Sequence, residues 1–154
     1  MFCSNKSRTS RISLILLTII ISIPSHVYGA NWIYVAKTKD LILYYDSDSI
    51  RINKNDHIIK VWTKCKILKS YKDNQNNRKI YLSDEDWNKL DHEIDLDIYN
   101  YKDETMQIAQ SSLYSNSGEV LYSNDSPGEW SHIIPESIGE TIFDTVMEAA
   151  GMKK

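Results

Sequence analysis

Between His57 and Leu68 the chain alternates with a period of two. Odd positions read Ile59, Val61, Thr63, Cys65 and Ile67, and even positions read Ile58, Lys60, Trp62, Lys64 and Lys66. Successive side chains on a strand point to opposite faces, so this segment predicts a strand with one apolar and one basic face. An apolar strand face has to be covered by another layer, and the rest of the chain must supply that layer.

Other segments carry the same period. Trp32 to Lys37 alternates aromatic, β-branched and polar residues, and Leu41 to Tyr45 is a second short strand, followed by the turn residues Asp46-Ser47-Asp48-Ser49. Glu93 to Tyr99 alternates again. Its apolar set, Ile94, Leu96 and Ile98, is expected to face the core, with Glu93, Asp95, Asp97 and Tyr99 outward. Thr105 to Tyr114 and Glu119 to Tyr122 flank Ser115-Asn116-Ser117-Gly118 and read as a hairpin. Ser83 to Asp86 can cap a short helix over Trp87 and Leu90, and residues 69–78 read as a polar loop.

The covering layer lies at the end of the chain. Ser137-Ile138-Gly139-Glu140 fits a capping box, and Ile138, Ile142, Phe143, Val146, Met147 and Ala150 follow as one helical stripe that stops at Gly151. The expected fold class is therefore α+β, an antiparallel β-sheet with a C-terminal α-helix packed on one face.

The first residues read as an export signal. Lys6, Arg8 and Arg11 precede an apolar run from Ile12 to Ile23, which Pro24 ends, and cleavage is expected before Ala30. The run is shorter than the roughly 20 apolar residues that span a bilayer. Cys3 lies ahead of it, so no lipidation cysteine follows it, and the expectation is an exported protein that is not a lipoprotein. The domains are then a signal peptide over 1–29 and one domain over 30–154. That domain keeps Cys65 as its only cysteine, so packing alone must hold it.

Charge is segregated. Residues 51–79 carry nine basic and two acidic side chains, and residues 80–148 carry sixteen acids and two bases. A basic block suits polyanions or acidic protein surfaces. The two halves can also neutralise each other across a sheet.

In series, several short segments resemble the surface-adhesin protein E-like domain family of Gram-negative bacteria. They are Trp32, Tyr44-Tyr45-Asp46 with Ser49-Ile50, Val61-Trp62, Ile94-Asp95, Tyr114 with Gly118-Glu119-Val120, Trp130, and Ile134-Pro135-Glu136-Ser137. The resemblance implies an exported protein, a sheet carrying a C-terminal helix, and binding of host extracellular-matrix or serum proteins. It also implies a disulfide from the sheet to the helix, whose first cysteine follows an Ile-Asp pair. Here Leu96 follows Ile94-Asp95, and residues 130–154 hold no cysteine. Leu96 is therefore expected to pack against the Ile142/Val146 side of the helix in place of the bond.

The candidate binding residues are Lys60, Trp62, Lys64 and Lys66 on the basic strand face, and Tyr71 in the loop. Aromatics and cations together make good anchors for a partner. The competing reading is a solvated face whose lysines pair with Glu93, Asp95 and Asp97 on another strand. Cys65 reads as a buried inert thiol, with an intermolecular disulfide as the alternative. Asp91-His92-Glu93 offers metal donors, but neighbours on a strand diverge, and HExxH and CxxC spacings are missing. There is no G-x-S-x-G elbow and no glycine-rich phosphate loop. Neither a cofactor nor enzymatic activity is expected. The expected function is an exported, non-enzymatic module that binds host or envelope proteins. The alternative is a periplasmic assembly factor that binds a bacterial partner.

Overall fold

The computed structural model describes residues 29–77, 79 and 81–152. Residues 1–28 of the predicted leader, and the terminal lysines, lie outside the described residues. The strands are β1 (Trp32–Lys37), β2 (Leu41–Asp46), β3 (Arg51–Asn53), β4 (Ile58–Ile67), β5 (Leu90–Asn100), β6 (Thr105–Ser115), β7 (Val120–Asn124) and β8 (Ser131–His132). The helices are α1 (Lys69–Asp73), α2 (Asp84–Lys89) and α3 (Ile138–Ala149). All strand pairs are antiparallel, in the order β1-β2-β4-β5-β6-β7; β3 shares the β2 edge of β4, and β8 pairs with β6. The α+β architecture with its C-terminal helix is as the sequence predicts.

The local signals explain the ends of α3. Ser137 Oγ accepts the Glu140 amide at 3.2 Å, and Glu140 returns by accepting the Glu136 amide at 2.7 Å. These bonds satisfy amide groups that a helix start leaves without partners. At the far end Gly151 takes φ +70°, and the Met152 amide bonds back to the Met147 carbonyl, closing the last turn.

One face of the sheet is covered, by two separate layers. Phe143 and Val146 of α3 pack on Tyr45, Ile59, Val61 and Tyr99, with the Tyr99 and Phe143 rings 5.5 Å apart. Further along the same face, Trp87 of α2 and Leu82 just before it pack on Ile67, Leu90 and Leu113. Between the two clusters runs a polar belt of Thr63 and Cys65 from β4, Glu93, Asp95 and Asp97 from β5, and Ser111 from β6.

The belt reverses the expected orientation of β5. The register sets Cys65 opposite Glu93, Thr63 opposite Asp95, Val61 opposite Asp97 and Ile59 opposite Tyr99, so the acids share the helix-covered face. Ile94, Leu96 and Ile98 lie opposite Lys64, Trp62 and Lys60 on the uncovered face. Register couples every side chain of a strand to its neighbour's faces, and Tyr99, 1% exposed, anchors this one. Leu96 therefore sits on the side of the sheet away from α3 and does not replace a sheet-to-helix disulfide. The expected polar loop at 69–78 is also corrected: it contains α1 and a 3-10 turn over Gln75–Asn77.

Phe143→Ala is expected to lower stability by about 3–5 kcal/mol, the usual range for emptying a buried aromatic site. Leu96→Ala should cost well below that, because Leu96 is only half-buried on the open face. Urea unfolding of the two variants against the parent measures both.

Candidate functional site

The uncovered face is built from four adjacent strands. Trp32 and Tyr34 come from β1, Ile42 and Tyr44 from β2, and Lys60, Trp62, Lys64 and Lys66 from β4. From β5 come Ile94, Leu96 and Ile98. No large apolar side chain on this face is fully buried, and Tyr34 is 58% exposed. Four of the five predicted binding residues thus share one surface. Trp62 and Leu96 face each other across the β4–β5 pair at its middle.

The cations of this face differ in their surroundings. Lys64 Nζ lies 4.4 Å from the Trp32 ring centre and 5.0 Å from that of Tyr44, where both ring faces attract it. Partial burial, and then the neighbouring Lys66 ammonium, pull its pKa below the ordinary lysine value. Lys66 donates to Asp91 at 3.3 Å. Asp91 also bonds His92 Nδ1 at 2.9 Å; burial alone would raise its pKa, but the His92 and Lys66 contacts outweigh that and hold it below the ordinary carboxylate value. Lys60 is exposed and sits opposite Arg51, a second cation, whose guanidinium donates to the Asp48 and Ile50 carbonyls at 2.8 Å.

The expected neutralisation of this face by β5 does not occur. Glu93, Asp95 and Asp97 point to the opposite side, so Lys60 and Lys64 lie against aliphatic neighbours from β5. Acids of β5 still pair with cations: Lys66 with Asp91, and Lys79 with Glu93 on the covered side at 3.1 Å.

Tyr71 does not join the site. It is carried by α1, half-buried, with its ring 6.3 Å from that of Trp87 in the second core cluster. Its role is packing under the sheet's covered face, because a short amphipathic turn needs an apolar contact to hold it there. Sequence reasoning missed the aromatic partners Trp32 and Tyr44 and the ridge Ile94-Leu96-Ile98. The period-two spacing of Trp32 with Tyr34, and of Ile42 with Tyr44, was the available signal; the pairing that joins them to Lys64 is not local.

A shallow pocket of about 410 Å³ lies near the end of β4, lined by Lys69, Lys72, Lys89 and Asp91 among others. Two of its ammonium groups are engaged: Lys72 donates to the Asn88 and Leu90 carbonyls, and Lys89 to Glu85 at 2.6 Å. Among the described residues no group of three or more His, Cys, Asp or Glu side chains is placed to hold a metal ion. No helix among them is long and apolar enough to cross a membrane.

The family model of surface-adhesin protein E matches residues 32–146, and the chain belongs to that family. Membership makes it an adhesin-like binding module, of a kind that points away from catalysis and toward a surface-exposed or secreted setting. Among solved structures, it is similar to the crystal structure of protein E from non-typeable Haemophilus influenzae. That match has 12% identity, covers 84% of each chain and has a TM-score of 0.48. No curated protein matches the chain.

Cys65 lies on the covered face beside the belt, as a free thiol. Burial, and then the charges of Glu93 and Asp95, push its pKa up to about 12. The thiolate is the reactive form, so an aromatic disulfide reagent at pH 8 should leave the native protein unmodified and react with one thiol per domain after denaturation.

Proposed function

We propose that the uncovered sheet face is the surface on which this adhesin-like module holds a protein partner. The observation that supports this is the basic and aromatic face itself: a layer of half-buried Trp62, Leu96, Tyr44 and Trp32 among Lys60, Lys64 and Lys66, with none of the described helices over it. Protein interfaces take most of their binding energy from a few aromatic anchors ringed by polar groups, and this arrangement has both. The cations favour a partner with an acidic surface, because complementary charge steers the encounter.

The family resemblance points to host extracellular-matrix or serum proteins as the partner class. The sequence of the leader supports export with cleavage before Ala30 and without a lipid anchor, which leaves the periplasm, the cell surface and the medium as destinations. No metal or cofactor enters this reading.

Binding of the protein to immobilised matrix and serum proteins, titrated against salt, tests it. Trp62→Ala should weaken binding at least tenfold, in line with the loss of more than 1 kcal/mol at an interface anchor. Replacing Lys60, Lys64 and Lys66 together by Ala should weaken it and flatten its salt dependence. A folded triple variant with unchanged affinity and unchanged salt response would remove the site. Protection of the protein from protease on intact cells would move the partner to the periplasm.

A further inference from the structure

The covered side of β5 presents a row of carboxylates to a poorly solvated belt. Glu93, Asp95 and Asp97 alternate along one strand and face the same side. Asp97 is 4% exposed and well supplied: Thr63 Oγ1 donates to its Oδ2 at 2.9 Å, and the Tyr99 hydroxyl donates to the same oxygen at 3.2 Å. Glu93 is also well supplied. Lys79 Nζ lies 3.1 Å from both of its oxygens, and Ser111 Oγ donates to Oε1 at 3.0 Å.

Asp95 is the exception. Its Oδ1 is buried and has no hydrogen-bond partner. Ser111 stands directly opposite it in the register and eases its charge, but that hydroxyl has one hydrogen to give and also serves Glu93 Oε1 at 3.0 Å. Other groups facing the belt give little relief. From β4 come Thr63, spent on Asp97, and the un-ionised Cys65 thiol; from α1 comes Tyr71; and α3 presents the apolar Phe143 and Val146. The Lys79 charge eases Asp95, but that ammonium is already paired with Glu93. A buried oxygen with no donor is costly when the group is ionised. A protonated Asp95 lowers that cost.

We propose that the covered side of β5 binds a proton in the folded protein. Asp95 holds it, and its release as the surroundings turn from acidic to neutral loosens the strand. The proton leaves Asp95 for solvent along the rim of the belt, where the Lys79 and Glu93 side chains are 18% and 21% exposed. The consequence reaches the other face, because Ile94, Leu96 and Ile98 alternate with the acidic row on the same strand.

The ionisation constants agree with this geometry. Burial, and then the Glu93 charge, push Asp95 up to about 7 against the Ser111 hydroxyl; burial pushes Asp97 up to about 6 against its two hydroxyl donors. Both lie above the roughly 3.9 of an unfolded Asp, so the folded state holds more protons than the unfolded state. The stability they supply is complete at low pH and is lost as pH rises through the folded values. One retained proton corresponds to about a tenfold fall in the folding equilibrium constant per pH unit.

Urea unfolding of the parent protein and of Asp95→Asn between pH 5 and 8 tests the proposal. The Asn amide mimics the protonated acid, so the variant should be more stable than the parent at pH 8. Its folding constant should fall about tenfold less per pH unit between pH 5 and 7. Parallel pH profiles would overturn the proposal. If the variant does not fold, carbon NMR titration of the parent's Asp95 carboxyl decides: a midpoint near 7 sustains the proposal, and a midpoint near 4 overturns it. Hydrogen exchange of the β5 amides, corrected for intrinsic rates, should be faster at pH 8 than at pH 6 in the parent, with a smaller pH difference in the variant, where only Asp97 still titrates; equal protection in the parent at both pH values would overturn the loosening.

Discussion

The pairing of β4 with β5 is the constraint on which the rest depends. Nine consecutive pairs run from Ile58 opposite Asn100 to Lys66 opposite His92 without a break. A slip of one residue would move Tyr99 off Phe143 and out of the first core cluster. With Tyr99 held inward, the period of the strand forces Asp97, Asp95 and Glu93 inward as well. The same period forces Ile98, Leu96 and Ile94 outward, beside Lys60, Trp62 and Lys64. Both the open face and the buried acidic belt are consequences of that one register.

The belt exists because the covered face has two lids and neither reaches the middle. α3 packs over Tyr45, Ile59, Val61 and Tyr99, while α2 and the segment before it pack over Ile67, Leu90 and Leu113. A helix of 12 residues is about 18 Å long, and α1 and α2 have only 5 and 6 residues. The strip between them keeps enough contact with water, through Glu93 and Lys79, for an ion pair to be maintained there. Asp95 beside them is part-buried, with its Oδ1 cut off from water.

The open face is a stable surface without a lid because its side chains cover one another. Lys64 lies over two aromatic rings, Trp62 faces Leu96, and His92 stacks on Tyr114 with ring centres 5.1 Å apart. Lysine stems and aromatic rings shield apolar area while they keep their polar ends wet. Such a surface is the one on which we propose that this member of the surface-adhesin protein E family holds another protein.

Most of the architecture was legible from local chemistry. The alternation of residues 58–67, the Ser137 cap, the stripe from Ile138 and the stop at Gly151 each depend on neighbours a few residues away, and each appears where the pattern put it. The outward placement of Glu93, Asp95 and Asp97 followed the rule that charge faces water. It failed because β5 carries apolar residues at alternate positions and a tyrosine at its end, so its own pattern is compatible with either face. Tyr71 was misplaced for a similar reason: a polar segment reads as a loop until Trp87, sixteen residues away, offers a ring to pack on. The sequence by itself determined which segments are strands and helix, and which residues share a face within one strand, because those are short-range properties of the backbone. Only the tertiary structure decided which face meets α3 and which stays open, because that choice is made by pairing between β4 and β5 and by the docking of Phe143, across distances in sequence that no local period records.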